Sequence, residues 1–483
     1  MDIIYVLLYD DKDKADILQH QFTSVFPHET DCNLPDFESR TDRSINTIDI
    51  TESTVRNKIL HLDVNKSYGP DEISPKLLHE LADEVSAPLT LVFNKSLKEG
   101  HVPSDWKVAH ISPIFKKGSR NLASNYRPVS LTSIACKIME SFIKEKIVTH
   151  FEESDLFSKH QYGFVPGRST VTQLLKYLSD CVRDIANGHV VDSIYFYFAK
   201  AFDTVPHKRL LKKLRAYGIS GNIFDWIRSF ISDRTQLVKV NGVTSDPASV
   251  ISGIPQGSVL GPILFVIYIN DLPQSVDSSS LLFADDTKIY KRVSSPADAL
   301  IIQNDINNLE KWSKRWLLEF HPEKCHVLTL GKHHNIIHAH RYTLNGKNLE
   351  HVFEEKDLGV VIDSSLSFDE HISTKVKKAN SIVGLIRRSF TFLDENLFKV
   401  LYAAFVRPNL EYAAAVWSPL KKHISMLEKV QGRATKLVDG LNNLSAEERL
   451  QRLQLPTLTY RRQRNDMVEI YKHFHNYDAI NGI

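Results

Sequence analysis

Apolar positions along this chain change their period twice, and each change marks a change of structure. From Ser53 to Leu97 they recur at helical spacing, broken at KSYGPDEISP, where Gly69-Pro70-Asp71 signals a turn. Val108 to Phe115 alternate as a strand, KKGSRNLASNYRP reads as a loop, and Ile134 to Thr149 form an amphipathic helix. The centre is β-rich. VVDSIYFYFA, TQLVKVNG, SLLFADDTKIYKRV and KCHVLTLG have strand-like patterns. Helices are expected between them at Leu210 to Tyr217, Ile223 to Ile231, from Gly261 to Ile269 and at Ala297 to Phe320. Beyond Gly359 the helical period returns in HISTKVKKANSIVGLIRRSF, LFKVLYAAFVRPNLEYAAAVW and ISMLEKVQGRATKLV. In the last of these, Leu427, Val430, Ala434, Leu437 and Val438 share one face. The first fifty residues have weak periodicity and read as a tether. The layout is therefore helical, then mixed α+β, then helical, with no internal repeat.

With 483 residues, 42% of them hydrophobic, the chain is globular and long enough for about three domain-sized units. The longest apolar run, VLGPILFVIYI, falls short of the eighteen or more residues a spanning helix needs, and the short run at Ile3 to Tyr9 is flanked by aspartates. A soluble chain with no membrane partner is expected. Cys32, Cys136, Cys181 and Cys325 are scattered, which points to neither a zinc site nor a disulfide framework and suits a reducing compartment. Net charge is only +2, but it is unevenly spread. Met1 to Leu60 carry twelve acidic and six basic residues, whereas Lys107 to Lys137 carry six basic and no acidic ones. Basic segments recur from Lys375 to Arg464. Such stripes suit a surface that tracks phosphates, or else ordinary solvated faces.

The sharpest chemical signal is LLFADDTKIY. Apolar flanks around Asp285-Asp286 predict two strands joined by a tight turn with a carboxylate pair at its tip. Adjacent carboxylates in an apolar hairpin repel, and hard oxygen donors of this kind suit Mg²⁺. A bare Asp-Asp is by itself an ordinary turn sequence. Upstream, SGIPQGSVLGPILFVIYINDLP reads as a Gly- and Pro-punctuated loop that opens a helix. Its backbone N–H groups and Gln256 are candidates to lie against a nucleotide or template base.

The ordered series KSYGPDEISP, WKVAHISPIFKKG, NYRPVSLTS, HQYGFVPGRSTVTQLL, FAKAFDTVPHKRLLKKL, GIPQGSVLGPILFVIYINDLP, FADDTKIY, FHPEKC, EKDLGVVID and RPNLEYAAAVWSP resembles the reverse transcriptases of non-LTR, LINE-type retrotransposons, from about Lys66 to the end. That resemblance implies an α+β right-hand polymerase with fingers, a palm built on an antiparallel sheet, and a helical thumb. The implied division is an acidic N-terminal extension over 1–65 and a helical extension of the fingers over 66–97. The reverse transcriptase domain follows over 98–360 (fingers about 98–185, palm about 186–360), then thumb and C-terminal segment over 361–483. It implies an RNA template, a DNA primer and dNTPs as partners, two Mg²⁺ ions as cofactors, and action in the nucleus. The stretch before Lys66 is too short for the family's endonuclease, which is expected not to be in this chain.

Site residues follow from the same resemblance. Lys116 and Arg127 match positions that hold the incoming triphosphate, a task suited to charge-assisted hydrogen bonds. Phe202 matches the steric gate beneath the sugar, and Gln256 and Gly257 match the loop beside the nascent base pair. Asp285 and Asp286 match metal-binding carboxylates, and Lys324 matches a basic residue near the leaving pyrophosphate, a general-acid candidate. The KDLGVVID hairpin resembles the primer grip. Thumb residues such as Lys377, Lys378 and Arg388 are placed to meet the phosphates of a hybrid duplex, read by backbone and shape.

One position departs from the pattern. Two-metal phosphoryl transfer needs carboxylates from two strands, and where the family places the second source, five residues before the gate, this chain has Tyr197. A phenol with a pKa near 10 is a neutral, weak ligand at pH 7. Asp192 is expected to face the other side of the sheet, and Asp203 to lie beyond the turn, so neither is expected to replace it. Tyr68 and the mid-helix Gly432 are further departures. The chain is therefore expected to be an RNA-directed DNA polymerase impaired at its metal site. The alternatives are a catalytically dead nucleic-acid-binding remnant and, less favoured, a maturase-like RNA-folding protein.

Overall fold

The computed structural model describes residues 10–27, 29, 34–331, 340–417 and 419–475; the apolar run at 3–9 and Cys32 lie outside them. The architecture is mixed, helices with sheets, in two compact units. Each is discontinuous in sequence. The first gathers the described parts of Met1–Phe164, Tyr197–Val276 and Asn307–His321, and the second those of Val165–Phe196, Asp277–Ile306 and Pro322–Ile483.

The strands of the first unit are β1 (Val108–Phe115), β2 (Tyr126–Leu131), β4 (Arg234–Val240), β5 (Val243–Thr244) and β6 (Ala248–Val250). Those of the second are β3 (Val190–Phe196), β7 (Ser279–Phe283), β8 (Asp286–Val293), β9 (His326–Leu330), β10 (Thr343–Leu344), β11 (Lys347–Asn348), β12 (Glu350–Val352), β13 (Glu354–Asp357) and β14 (Val360–Asp363). In the first unit β2, β1, β4 and β5 lie side by side, with β6 also on β4. The main sheet of the second runs β12-β9-β3-β8-β7. β3 is antiparallel to both neighbours and buried along its whole length. A central strand covered on both faces has no polar side to alternate, and its two polar residues are bonded within the protein, Asp192 to Thr329 and Tyr342 and Ser193 to Tyr177.

The segment read as a tether is folded. Asp11–Thr23 is a helix whose N-cap, Asp10, accepts a hydrogen bond from the backbone of Lys12 at 2.6 Å. Its Ala15, Leu18 and Phe22 pack with Ala109, Ile111 and Val238 of β1 and β4. An apolar stripe this narrow among charged neighbours gives little amphipathic signal, so its burial could not be read from period alone. Further on, the chain straps the turn between helices His207–Ala216 and Gly221–Ile231. Ile45 donates to Gly218 O at 2.9 Å and accepts from Ser220 N at 2.9 Å. Gly218 has φ +80°, and a Cβ there would lie 2.2 Å from Arg43 O, so only glycine fits under the strap.

Inside the first unit Lys213 is fully buried. Its ammonium bonds Asp271 and lies 3.7 Å from the centre of the Trp316 ring, while Trp312 Nε1 donates to Asp271 at 3.0 Å. Burial pulls the Lys213 pKa down to about 8, against the pull of Asp271. The helical remainder of the second unit includes Asp369–Ser389, Lys421–Thr435 and Leu458–Phe474. Leu427, Val430 and Ala434 are buried on one face of the middle helix, as their spacing predicts. No described helix is long and apolar enough to cross a membrane.

Two substitutions test this packing by urea unfolding. Phe22→Ala is expected to cost about 3 kcal/mol, as for a buried core aromatic, where a tether residue would cost nothing. Gly432 lies within a helix with open space around the position a Cβ would take. Gly432→Ala is therefore expected to stabilise by about 1 kcal/mol.

Candidate functional site

The carboxylate pair lies at one end of the second unit's sheet. Ala284 and Asp285 form the turn between β7 and β8, and Phe283 pairs with Asp286 across it. Two-residue hairpins need φ > 0 at the first central residue. Ala284 takes φ +51°, a conformation that costs a residue with a Cβ on the order of 1 kcal/mol, and the flanking ladder holds it there. Asp285 is half-buried and Asp286 exposed. The pair is therefore less shielded from water than its apolar flanks suggest.

β3 ends and β9 begins at this same end of the sheet, with Phe196 opposite Thr287 and Tyr195 opposite His326. Lys324 is exposed in the short 3₁₀ turn Pro322–Lys324 just ahead of β9. Asp285, Asp286 and Lys324 are thus brought to one sheet end. Below the hairpin Lys288 forms a buried ion pair with Asp357, and Tyr290 Oη donates to Asp180 at 2.7 Å. These bonds fix β8 against the rest of the second unit.

The other residues singled out in the sequence belong to the first unit. Lys116 follows the last residue of β1, and its N–H bonds Asn125 O at 2.9 Å, while Arg127 on β2 pairs with Ile114. Both cations are exposed at the same end of the β1–β2 hairpin. Phe202 stacks on Phe265 with ring centres 4.6 Å apart. Tyr197, half-buried, is the residue after Phe196; its carbonyl accepts from His321 N at 2.7 Å.

The loop that opens helix Gly261–Ile269 is clamped on three sides. Gly253 N bonds Val205 O and Ile254 N bonds Phe202 O, each at 2.8 Å, and Ser252 Oγ donates to Asp203 O at 2.9 Å. Gln256 Nε2 donates to Asp203 Oδ1 at 2.7 Å, and Gln256 O accepts from Ser130 N of β2 at 2.7 Å. Glu140, fully buried on helix Ile134–Glu153, accepts from Val259 N at 2.7 Å and Leu260 N at 3.0 Å. The N–H groups of Gly253, Ile254, Val259 and Leu260, expected to face a ligand, are therefore engaged inside the protein. Gly253 and Gly257 have φ +82° and +118°, and a Cβ on either would lie within 2.6 Å of the carbonyl of Asp203 or Ser130. The glycines serve close backbone approach.

Sequence reasoning missed Glu140 and the partner of Asp203. The signal for Glu140 was present: an acidic residue among the apolar positions of an amphipathic helix has to find buried donors. Burial raises its pKa, opposed by the Leu260 N–H, Arg234 and the Val259 N–H. For Asp203 no local pattern points to Gln256, fifty-three residues away.

Both carboxylates weighed as substitutes at the Tyr197 position are committed elsewhere. Asp192 is buried in mid-strand, accepting from Thr329 Oγ1 and Tyr342 Oη, each at 2.7 Å. Asp203 is held by Gln256. Among the described residues no three His, Cys, Asp or Glu side chains converge where they could hold a metal ion. The two-ion centre the resemblance implies draws carboxylates from separate strands, whereas this adjacent pair lies on one hairpin. The donor set does not fit two Mg²⁺ ions.

The sequence profile of the family described as reverse transcriptase (RNA-dependent DNA polymerase) matches residues 114–379, more than half of the chain. The chain is 28% identical over 409 residues to the RNA-directed DNA polymerase from mobile element jockey of Drosophila melanogaster, covering 81% of this chain and 44% of that protein. It is 28% identical over 409 residues to the probable RNA-directed DNA polymerase from transposon X-element, covering 80% and 43%, and 27% identical over 400 residues to that from transposon BS, covering 79% and 43%, both of the same organism. The chain spans less than half the length of these curated relatives.

Asp203 yields a pH-dependent prediction. Burial pushes its pKa from 3.8 up to about 6, against Gln256, Lys200 and Arg127, which favour the charge. Its ionisation is costlier in the folded chain, so the cost is absent below about pH 4 and full above about pH 6. Asp203→Asn removes that charge. It is expected to raise stability at pH 8 by on the order of 2–3 kcal/mol relative to its effect at pH 4, measured as urea midpoints at the two pH values.

Proposed function

The chain belongs to the reverse transcriptase family, in its LINE-type, non-LTR retrotransposon branch, and from that membership we propose that it binds an RNA template, a DNA primer and a dNTP as an RNA-directed DNA polymerase with an impaired catalytic centre. The observation that carries the reading is the Asp285-Asp286 hairpin tip, sharing a sheet end with Lys324 inside the matched segment. In this reading residues 98–185 serve as fingers, 186–360 as palm and 361–483 as thumb, preceded by extensions over 1–65 and 66–97.

The reaction joins the primer 3′-oxygen to the α-phosphorus of the dNTP and breaks its bond to the bridging oxygen, so that pyrophosphate leaves. Lys116 and Arg127, at one hairpin end, bind the triphosphate oxygens through charge-assisted hydrogen bonds. Phe202, braced by Phe265, sets the floor under the sugar and disfavours a 2′-hydroxyl. Gln256 and Gly257 flank the nascent pair. Lys324 donates a proton to the leaving pyrophosphate. On helix Asp369–Ser389 the exposed Lys377, Lys378 and Arg388 meet duplex phosphates, giving affinity that falls steeply with salt.

Tyr197 limits the chemistry. Its phenol supplies no negative charge, and neither Asp192 nor Asp203 is available in its place. Loss of one preorganised transition-state group typically costs about 10²–10³ in rate, and a metal ligand at least as much. A second reading follows from the same residue: a remnant that binds primer–template and turns over nothing.

Primer extension on an RNA template in Mg²⁺ separates the two. Tyr197→Asp is expected to extend at least about 10²-fold faster than the unmodified chain. Equal rates would remove Tyr197 as the cause of impairment. Duplex binding by both with extension by neither would favour the remnant.

A further inference from the structure

Three regions of the first unit meet at Gln256: the Phe202–Val205 turn, the loop itself and β2. Among the side chains there, Asp203 has no role in the polymerase chemistry just described. It is a half-buried residue whose Oδ1 accepts from Gln256 Nε2 at 2.7 Å, while its own carbonyl accepts from Ser252 Oγ at 2.9 Å. Gln256 is tethered at its backbone as well, through the 2.7 Å bond from Ser130 N. With both ends of the residue held, the remaining freedom of its amide is a flip about the last side-chain torsion.

An ionised carboxylate only accepts, so it turns Nε2 toward itself and Oε1 away. A protonated carboxyl can donate its O–H to Oε1, which turns the NH₂ group away instead. We propose that Asp203 is the positioning residue for Gln256: its charge state sets whether the amide offers an acceptor or a donor to the incoming nucleotide. This rests on the reading of Gln256 as a nucleotide-pocket residue.

The surroundings place the switch within reach of ordinary pH. The groups facing Asp203 are Gln256 from the loop, Lys200 from its own turn and Arg127 from β2. All three favour the charge, yet burial outweighs them and the carboxyl titrates at about 6. His207 bonds Gly253 O at 2.8 Å, and burial lowers its pKa. Phe202 and Asp203 are adjacent, and Ile254 N bonds Phe202 O at 2.8 Å. The sugar floor and the Gln256 amide are therefore set by one turn, and displacement of Asp203 moves both.

The test uses the full chain on an RNA template annealed to a dideoxy-terminated DNA primer in Mg²⁺, titrated with the fluorescent triphosphate of 2-aminopurine deoxyriboside. Asp203→Ala is expected to weaken nucleotide binding about 10-fold at pH 7.5, the scale of one lost hydrogen bond to a charged group. Asp203→Asn, which keeps an acceptor for Nε2, is expected to stay within about two-fold of the unmodified chain there. From pH 7.5 to 5.5 the ratio of the unmodified chain's affinity to that of Asp203→Asn is expected to change by about three-fold or more, since the variant cannot titrate and the triphosphate's own ionisation cancels. A purely structural role would move neither the ratio nor its pH dependence.

The side-chain amide signals of Gln256 in ¹⁵N-glutamine-labelled protein give the second readout. They are expected to titrate near pH 6 in the unmodified chain and not in Asp203→Asn. Nucleotide binding without that titration, or equal affinities for Asp203→Ala and the unmodified chain, overturns the proposal. Titration in a chain that binds no nucleotide upholds the hold on Gln256 and overturns the polymerase reading instead.

Discussion

Buried polar groups must be satisfied, and in the loop from Ser252 to Leu260 that requirement falls on many groups within one short segment. Its N–H groups, its Gln256 carbonyl and its side chains reach the Phe202–Val205 turn, Ser130 of β2 and Glu140 on helix Ile134–Glu153, all far from the loop in sequence. Leaving any one of these donors unpaired would cost about 1–3 kcal/mol. The loop therefore settles in the one position where all are paired. Phe202, Gln256 and Gly257 acquire their places as a consequence, and Gly253 and Gly257 are glycines because the paired position brings carbonyls where a Cβ would be.

The same rule operates at larger scale through two buried ion pairs, one in each unit. Lys213 with Asp271 lies among Trp312, Trp316 and Tyr268, and Lys288 with Asp357 lies beside Tyr177 and Tyr195. Taking such charges from water is expensive, and mutual attraction repays it only with good geometry and further hydrogen bonds. Asp271 receives both Lys213 and the Trp312 N–H. Each pair ties a helix or strand to a distant partner. Lys288 does so two residues beyond Asp286, so the hairpin tip that carries the acidic pair stands on an anchored strand.

Tyr197 is accommodated by the backbone and side chains around it. Its backbone is paired, its neighbour Phe198 stacks on Phe320 at 4.5 Å, and the carboxylates nearest in sequence are engaged in bonds of their own. A fold can tolerate such a change because packing and backbone pairing do not require charge at that position. Chemistry does.

The sequence alone determined the family, the order of most helices and strands, and the hairpin with its acidic pair. These rest on local periods, turn residues and short motifs, all of which are written in consecutive residues. The strand pattern of β3 and the helical spacing of Leu427, Val430 and Ala434 are of this kind. Only the tertiary structure decided that the acidic N-terminal stretch is a packed helix, because three buried apolar side chains in thirteen residues make a stripe visible only against the sheet it covers. It alone decided that Glu140 braces the loop and that Asp203 holds Gln256. Such bonds join residues more than fifty positions apart, and no local period encodes them. They exist because folding strips water from polar groups and leaves each to find whichever partner the packed chain has brought within reach.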